Sequence, residues 1–229
     1  SFKTDRKGNL EICFIAKARG NACITKRDVC VALEHALDQR MCPGRYMRNV
    51  IPKEYEAVSF VRDMNYKTLT ELARVAKSGE TVSGDNFSFM ELSTGELVMV
   101  LSDGMGSGSR ACQDSENLVE VLESLIEAGF RKESAVRLMN TLFVMSYEGK
   151  KFTTLDMTAI DLYSGECETV KNGAAATFIK RADGVETIFA KTLPMGIDME
   201  ASPESTRTSL KDGDMVVMVS DGIIDAFPG

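Results

Sequence analysis

Two aspartates occupy matching positions. Leu97-Val98-Met99-Val100-Leu101-Ser102 runs into Asp103-Gly104, and Met215-Val216-Val217-Met218-Val219-Ser220 runs into Asp221-Gly222. A continuous apolar run of this length fits a strand buried on both faces, so each carboxylate is expected to emerge from the core at a fixed strand end. A carboxylate held there loses solvation unless it is paired or binds a cation, and hard divalent ions prefer carboxylate and carbonyl oxygens. The glycine that follows permits close approach of the main chain, so that the Gly104 carbonyl could also coordinate. Asp85, in Val82-Ser83-Gly84-Asp85-Asn86-Phe87, is a third candidate at the start of a strand. The chemistry this implies is metal-assisted. The plain alternative on residue type alone is that all four Asp-Gly pairs of the chain are turns. Asp183-Gly184 and Asp212-Gly213 do sit among polar residues, as hairpin turns should.

The elements that must hold these residues alternate in kind. Leu10–Ala16 reads as a strand, and Thr25 as the cap of a helix through Val31, Leu33, Leu37 and Met41 that Cys42-Pro43-Gly44 stops. Arg45 to Asp63 has no regular pattern. A boundary near residue 64 separates an accessory segment, 1–63, from the main domain, 64–229. Within the latter, strands are expected at Tyr66–Ala76, Asn86–Glu91 and Leu97–Ser102. A helical hairpin follows, carried by Leu118, Leu122, Leu125 and Ile126 and then by Val136, Met139, Leu142 and Phe143. Further strands are expected at Thr154–Leu162, Glu166–Lys171, Thr177–Lys180, Val185–Ala190 and Met215–Ser220. Mostly antiparallel sheets with inserted helices place the chain in the α+β class.

Composition narrows the functions available. The 229 residues carry a formal charge of −7, which leaves no basic field for a nucleic acid backbone. No apolar run approaches the roughly 18 residues that cross a bilayer, and Ser1 to Asp5 do not resemble a signal peptide, so a cytoplasmic location is expected. The six cysteines are scattered, which fits reduced thiols better than a disulfide scaffold. Cys13 to Arg19 and Cys42 to Arg48 match the Cys-x5-Arg spacing of cysteine phosphatases. Neither makes a phosphate cradle, the first being apolar and the second containing Pro43. Gly104-Met105-Gly106-Ser107-Gly108-Ser109 resembles a dinucleotide fingerprint but lacks its last glycine and the βαβ context. No Cys-x2-Cys pair supports a zinc site with His35, the only histidine.

At the aspartates the sequence resembles the metal-dependent protein phosphatase family, type 2C, and in particular its bacterial sporulation branch. The resemblance lies in Val82-Ser83-Gly84-Asp85, Leu101-Ser102-Asp103-Gly104-Met105-Gly106-Ser107-Gly108, Thr154-Leu155-Asp156, Leu193-Pro194-Met195-Gly196-Ile197 and Val219-Ser220-Asp221-Gly222-Ile223, in family order from about Tyr66 onward. It implies an antiparallel β-sandwich flanked by helices, with a two-metal manganese or magnesium centre. By the same resemblance Asp103 bridges both metals, the Gly104 carbonyl binds one, Asp221 binds the other, and Asp85 acts through metal-bound water. It further implies attack by metal-activated water on phosphoserine or phosphothreonine, with no protein nucleophile. Asp225 falls where some relatives place an extra ligand and is expected at the surface; Asp156, mid-strand, is expected to be structural.

The resemblance also implies a domain that continues past Gly229, with another metal-binding aspartate, and a membrane tether only through upstream segments. The substrate it suggests is a phosphorylated anti-anti-sigma factor. The helical pair near Arg110–Ser146 is implied to switch metal binding on dimerisation. The rival readings are a non-catalytic signalling module of the same fold and a hydrolase of small phosphoesters.

Overall fold

The structure is a computed structural model, and it describes residues 1–4, 8–44, 47–75, 83–104, 109–145 and 152–226. Val82, Met105 to Gly108 of the glycine-rich string, and Ser146 lie outside the described residues. The chain divides into two compact units, Ser1–Asn65 and Tyr66–Gly229.

The first unit is built from β1 (Phe2–Thr4), β2 (Leu10–Ala16), α1 (Lys26–Leu37), β3 (Met41–Pro43) and β4 (Glu56–Arg62). Its antiparallel sheet has the order β1-β2-β4-β3. Helix α1 starts where Thr25 and Asp28 form a capping box, Thr25 Oγ1 accepting from the Asp28 amide and Asp28 Oδ2 accepting from the Thr25 amide. Ile12, Cys30, Met41, Ile51, Val58 and Phe60 form its core, with Phe14 stacked on Phe60 at 5.8 Å. Two expectations are corrected here. The stretch from Arg45 to Asp63 is not irregular throughout, because Ala57 to Val61 pair with β2 in register and form a central strand. Met41 belongs to β3 rather than to the helix, which stops at Asp38 in a left-handed conformation (φ 52°).

The second unit comprises β5 (Asp85–Glu91), β6 (Glu96–Asp103), α2 (Ser109–Glu127), α3 (Lys132–Met145), β7 (Leu155–Asp161), β8 (Glu166–Asn172), β9 (Thr177–Arg181), β10 (Gly184–Ile188), β11 (Glu204–Ser209), β12 (Met215–Met218) and α4 (Asp221–Ala226). A five-stranded antiparallel sheet runs β11-β8-β7-β6-β5, and a three-stranded one runs β10-β9-β12. The α+β, two-sheet architecture with flanking helices is therefore the observed fold. Among the described residues no helix is long and apolar enough to cross a membrane.

Strand alternation assigns the two faces of the larger sheet. Val98 and Val100 of β6 face the helices and join Leu118, Leu122, Ile126, Val136 and Met139 in the main core. Leu101 and Asp103, one step out of phase, face the opposite side, toward which Asp156 of β7 also points, since Leu101 and Asp156 are register partners. The helical stripe read from the sequence is thus the buried one, apart from Leu142, which is exposed.

Two strand expectations fail, and one further strand was not expected. Tyr66 to Val75 form no strand; Tyr66 is instead tied to β7 through its amide on the Leu162 carbonyl. Strand β11 was not foreseen, because Glu-Ser-Thr-Arg-Thr-Ser has no apolar alternation and is held by its ladder with β8. Strand β12 is not buried on both faces: Met215 and Val217 are 55% and 37% exposed, since it pairs with β9 on one side only among the described residues.

Candidate metal centre

Asp85 opens β5, Asp103 closes β6, and the two are register partners. Opposed residues of an antiparallel pair project from the same face with Cβ atoms about 5 Å apart, a spacing at which like charges repel. Asp221, which follows β12, arrives from the smaller sheet. Its carboxylate and that of Asp85 both hydrogen-bond to Asp103, and both raise the Asp103 carboxyl. Burial is the largest cause, the two neighbouring carboxylates add to it, and together they push the group up to about 8. Among the described residues no three His, Cys, Asp or Glu side chains are already closed into a ligand set. What the fold brings together is three carboxylates with Asp103 in the middle.

The backbone around Asp103 is pinned. Its carbonyl accepts from the Thr153 hydroxyl at 2.7 Å and the Thr154 amide at 2.9 Å, and its amide donates to Thr154 Oγ1 at 3.1 Å. Gly104 lies so close to α2 that an added Cβ would stand 2.2 Å from the Ala111 carbonyl oxygen. The glycine is therefore a packing requirement, whatever its carbonyl does.

Several contributing residues escaped the sequence reading. The two Ser-Asp-Gly serines do different work. Ser102 is buried and donates to the Thr154 carbonyl at 2.9 Å, locking β6 to the chain entering β7. Ser220 instead donates to Asp85 Oδ2 at 3.2 Å, a contact that joins residues far apart in sequence, and Ser83 Oγ donates to the same oxygen at 3.2 Å. On the helix side, Asn86 Nδ2 reaches the Cys112 carbonyl at 2.8 Å and Ser115 Oγ at 2.7 Å, while Ser115 Oγ donates to the Gly84 carbonyl at 2.6 Å. These bonds seat α2 on the strand start that carries Asp85. Only the Ser-x-Asp-Asn spacing hinted at them.

Asp103 and Asp221 share a cavity of about 50 Å³ with Thr154, Asp156 and Ser220, one wall being the 173–175 loop. Asp156 is buried, as expected of a structural residue, and forms an ion pair with Lys171 of β8 at 2.5 Å. Burial raises the Asp156 carboxyl and lowers the Lys171 ammonium, and each partner opposes the other's shift. His35 lies on the surface of the first unit, and all six cysteines are free thiols; none of them lines the cavity, although Cys112 Sγ accepts from Asn86 Nδ2 at 3.5 Å. Asp225 is exposed on α4, as anticipated.

An all-oxygen donor set at the ends of β5 and β6 and the start of α4, with a carboxyl held far above its ordinary range by burial and by like-charge neighbours, suits a hard divalent cation.

Compared with known proteins, the chain is 32% identical over 219 residues to stage II sporulation protein E of Bacillus subtilis (strain 168), covering 96% of this chain and 26% of that protein. It is 35% identical over 174 residues to the Priestia megaterium protein of the same name, covering 76% of this chain and 30% of that one. The chain thus spans less than a third of these relatives. The solved structure of the PP2C phosphatase domain with a fragment of the regulatory domain of the B. subtilis protein superposes with a TM-score of 0.74 at 31% identity, over 98% of this chain and 65% of that one.

The fold is the one seen in the PP2C phosphatase domain of that relative. Residues 93–229 match the family Stage II sporulation protein E (SpoIIE), and the chain belongs to that family.

Proposed function

We propose that this chain is the catalytic region of a metal-dependent protein serine/threonine phosphatase, acting in the cytoplasm on a phosphorylated regulatory protein of the anti-anti-sigma factor kind. Family membership supports the substrate class. The observation that carries the reaction type is the meeting of Asp85, Asp103 and Asp221, carboxylates from two strand ends and the start of α4.

Asp85, Asp103, Asp221 and the Gly104 carbonyl hold a pair of manganese or magnesium ions in this reading. Bound there, divalent cations supply the positive charge that acidifies a water and neutralises phosphoryl oxygens. The chain's own task is positioning. Thr153 and Thr154 fix the Asp103 main chain, and Ser83 and Ser220 orient the Asp85 carboxylate. No histidine or cysteine lines the cavity, which agrees with hydrolysis without a covalent protein intermediate. Residues 1–63 serve as a regulatory segment and 64–229 as the phosphatase domain, which self-associates as a homodimer and is tethered to a membrane only through segments upstream.

The test is phosphate release from a phosphoserine-bearing anti-anti-sigma factor with and without Mn²⁺. Metal-dependent release that Asp103→Asn abolishes supports the proposal. Metal-independent partner binding with no release would replace it with a binding module.

A further inference from the structure

The cavity beside Asp103 and Asp221 has one wall residue whose state the foregoing does not explain. Asp156 and Lys171 are each 1% exposed. The ammonium of Lys171 spends its three donors on Asp156 Oδ2 at 2.5 Å, the Ala175 carbonyl at 2.7 Å and Thr177 Oγ1 at 2.8 Å. Thr177 Oγ1 also hydrogen-bonds Asp156 Oδ2. Everything converges on Oδ2. Oδ1 of the same carboxylate is buried and receives no hydrogen bond from any described residue.

Buried carboxylate oxygens are rarely left without a donor, and a purely structural ion pair would gain by satisfying both. The strand register places Asp156 on the same sheet face as Asp103. Asp156 is the partner of Leu101, and Asp103 lies two residues further along β6 on the same face. Such diagonal neighbours have Cβ atoms about 7 Å apart, too far for direct contact between short side chains and suited to one intervening water. Asp156 lines the same cavity as Asp103 and Asp221, and its roughly 50 Å³ exceeds the ~10–15 Å³ that one water requires. Lys171, through the Ala175 carbonyl, also fixes the loop that forms the opposite wall.

We infer that Asp156 is a positioning residue of the metal centre: its free Oδ1 accepts a hydrogen bond from water held between it and the cation carried by Asp103 and Asp221. This rests on the metal centre proposed above. The Lys171–Thr177 clamp is what keeps Oδ1 turned to the cavity, since both hold the other oxygen. Outer partners of this kind typically change metal affinity by about 10- to 100-fold when removed.

The experiment measures Mn²⁺ Kd by calorimetry or by the electron paramagnetic resonance of free Mn²⁺, on protein whose fold is checked by circular dichroism. Asp156→Asn is expected to raise Kd about 10- to 100-fold. Thr158→Val, which removes a buried hydroxyl contact to Thr169 outside the clamp, should leave Kd within about threefold while lowering Tm. A structural role alone would lower Tm in both and move Kd in neither, and that result overturns the inference. Should Asp156→Asn not fold, the paired replacement Asp156→Leu with Lys171→Met removes the buried charges together. A wild-type Kd in that variant overturns the inference equally. Wild-type protein that binds no Mn²⁺, or Asp103→Asn protein that binds it as tightly as wild type, would instead overturn the metal centre itself.

Discussion

Asp85 and Asp103 face each other across the β5–β6 ladder as register partners, two carboxylates of like charge on one face of the sheet. Directly opposed like charges destabilise a sheet, so the ionised pair is a cost that a cation bound in the proposed metal centre would offset.

That cost has a pH signature. The Asp103 carboxyl, pushed up to about 8 from an ordinary 3.8, keeps its proton in the folded chain over a range where the unfolded chain has released it. Folding stability from this group is therefore highest below about pH 4 and is lost as pH rises through 8. In EDTA, wild-type Tm is expected to fall between pH 6 and 9 more steeply than that of Asp103→Asn. Parallel thermal-melt profiles for the two proteins would contradict this.

Gly104→Ala places a methyl group against the Ala111 carbonyl, which is backbone and cannot swing aside. Overpacking of this kind costs about 1–3 kcal/mol. The expected outcome is a lower denaturation midpoint and a weakened Mn²⁺ response, read by urea unfolding and by Mn²⁺-dependent phosphate release.

Ser115→Ala removes both the acceptor for Asn86 and the donor to the Gly84 carbonyl. Asn86 keeps its bond to the Cys112 carbonyl and the Gly84 carbonyl keeps the Gly104 amide, so each lost hydrogen bond costs about 0.5–1.5 kcal/mol. Because those groups flank Asp85, the variant should also lose Mn²⁺ affinity, whereas Ser124→Ala, further along α2, should change neither quantity. Calorimetry on the two variants decides it.

Burial pushes the Cys42 and Cys167 thiols up to about 11. Since the thiolate is the reactive form, both should alkylate at least about tenfold more slowly at pH 8 than exposed Cys23, and faster as pH climbs toward 11. Iodoacetamide labelling followed by peptide mass spectrometry measures this.

What could be read along the chain was whatever depends on neighbours in sequence. An apolar run closed by Ser-Asp-Gly marked Asp103 as a residue at a strand end, whereas Asp221, expected at another, opens α4; the Thr25–Asp28 spacing marked a capped helix, and the leucine stripe marked the buried faces of α2 and α3. The same reasoning failed where pairing or packing overrides composition. Polar β11 exists because β8 offers it a ladder, residues 66–75 form no strand, and β12 is half exposed despite its apolar sequence.

Local pattern alone thus established the residue types of the site and the elements that carry them, because a strand's periodicity and a turn's glycine act over a few residues. Tertiary structure alone decided that Asp85 opposes Asp103, that Ser220 rather than Ser102 reaches Asp85, and that one buried oxygen of Asp156 has no donor among the described residues. Those are relations of register and sheet packing between segments up to 135 residues apart. They arise only when burial of both sheets sets which face each carboxylate occupies.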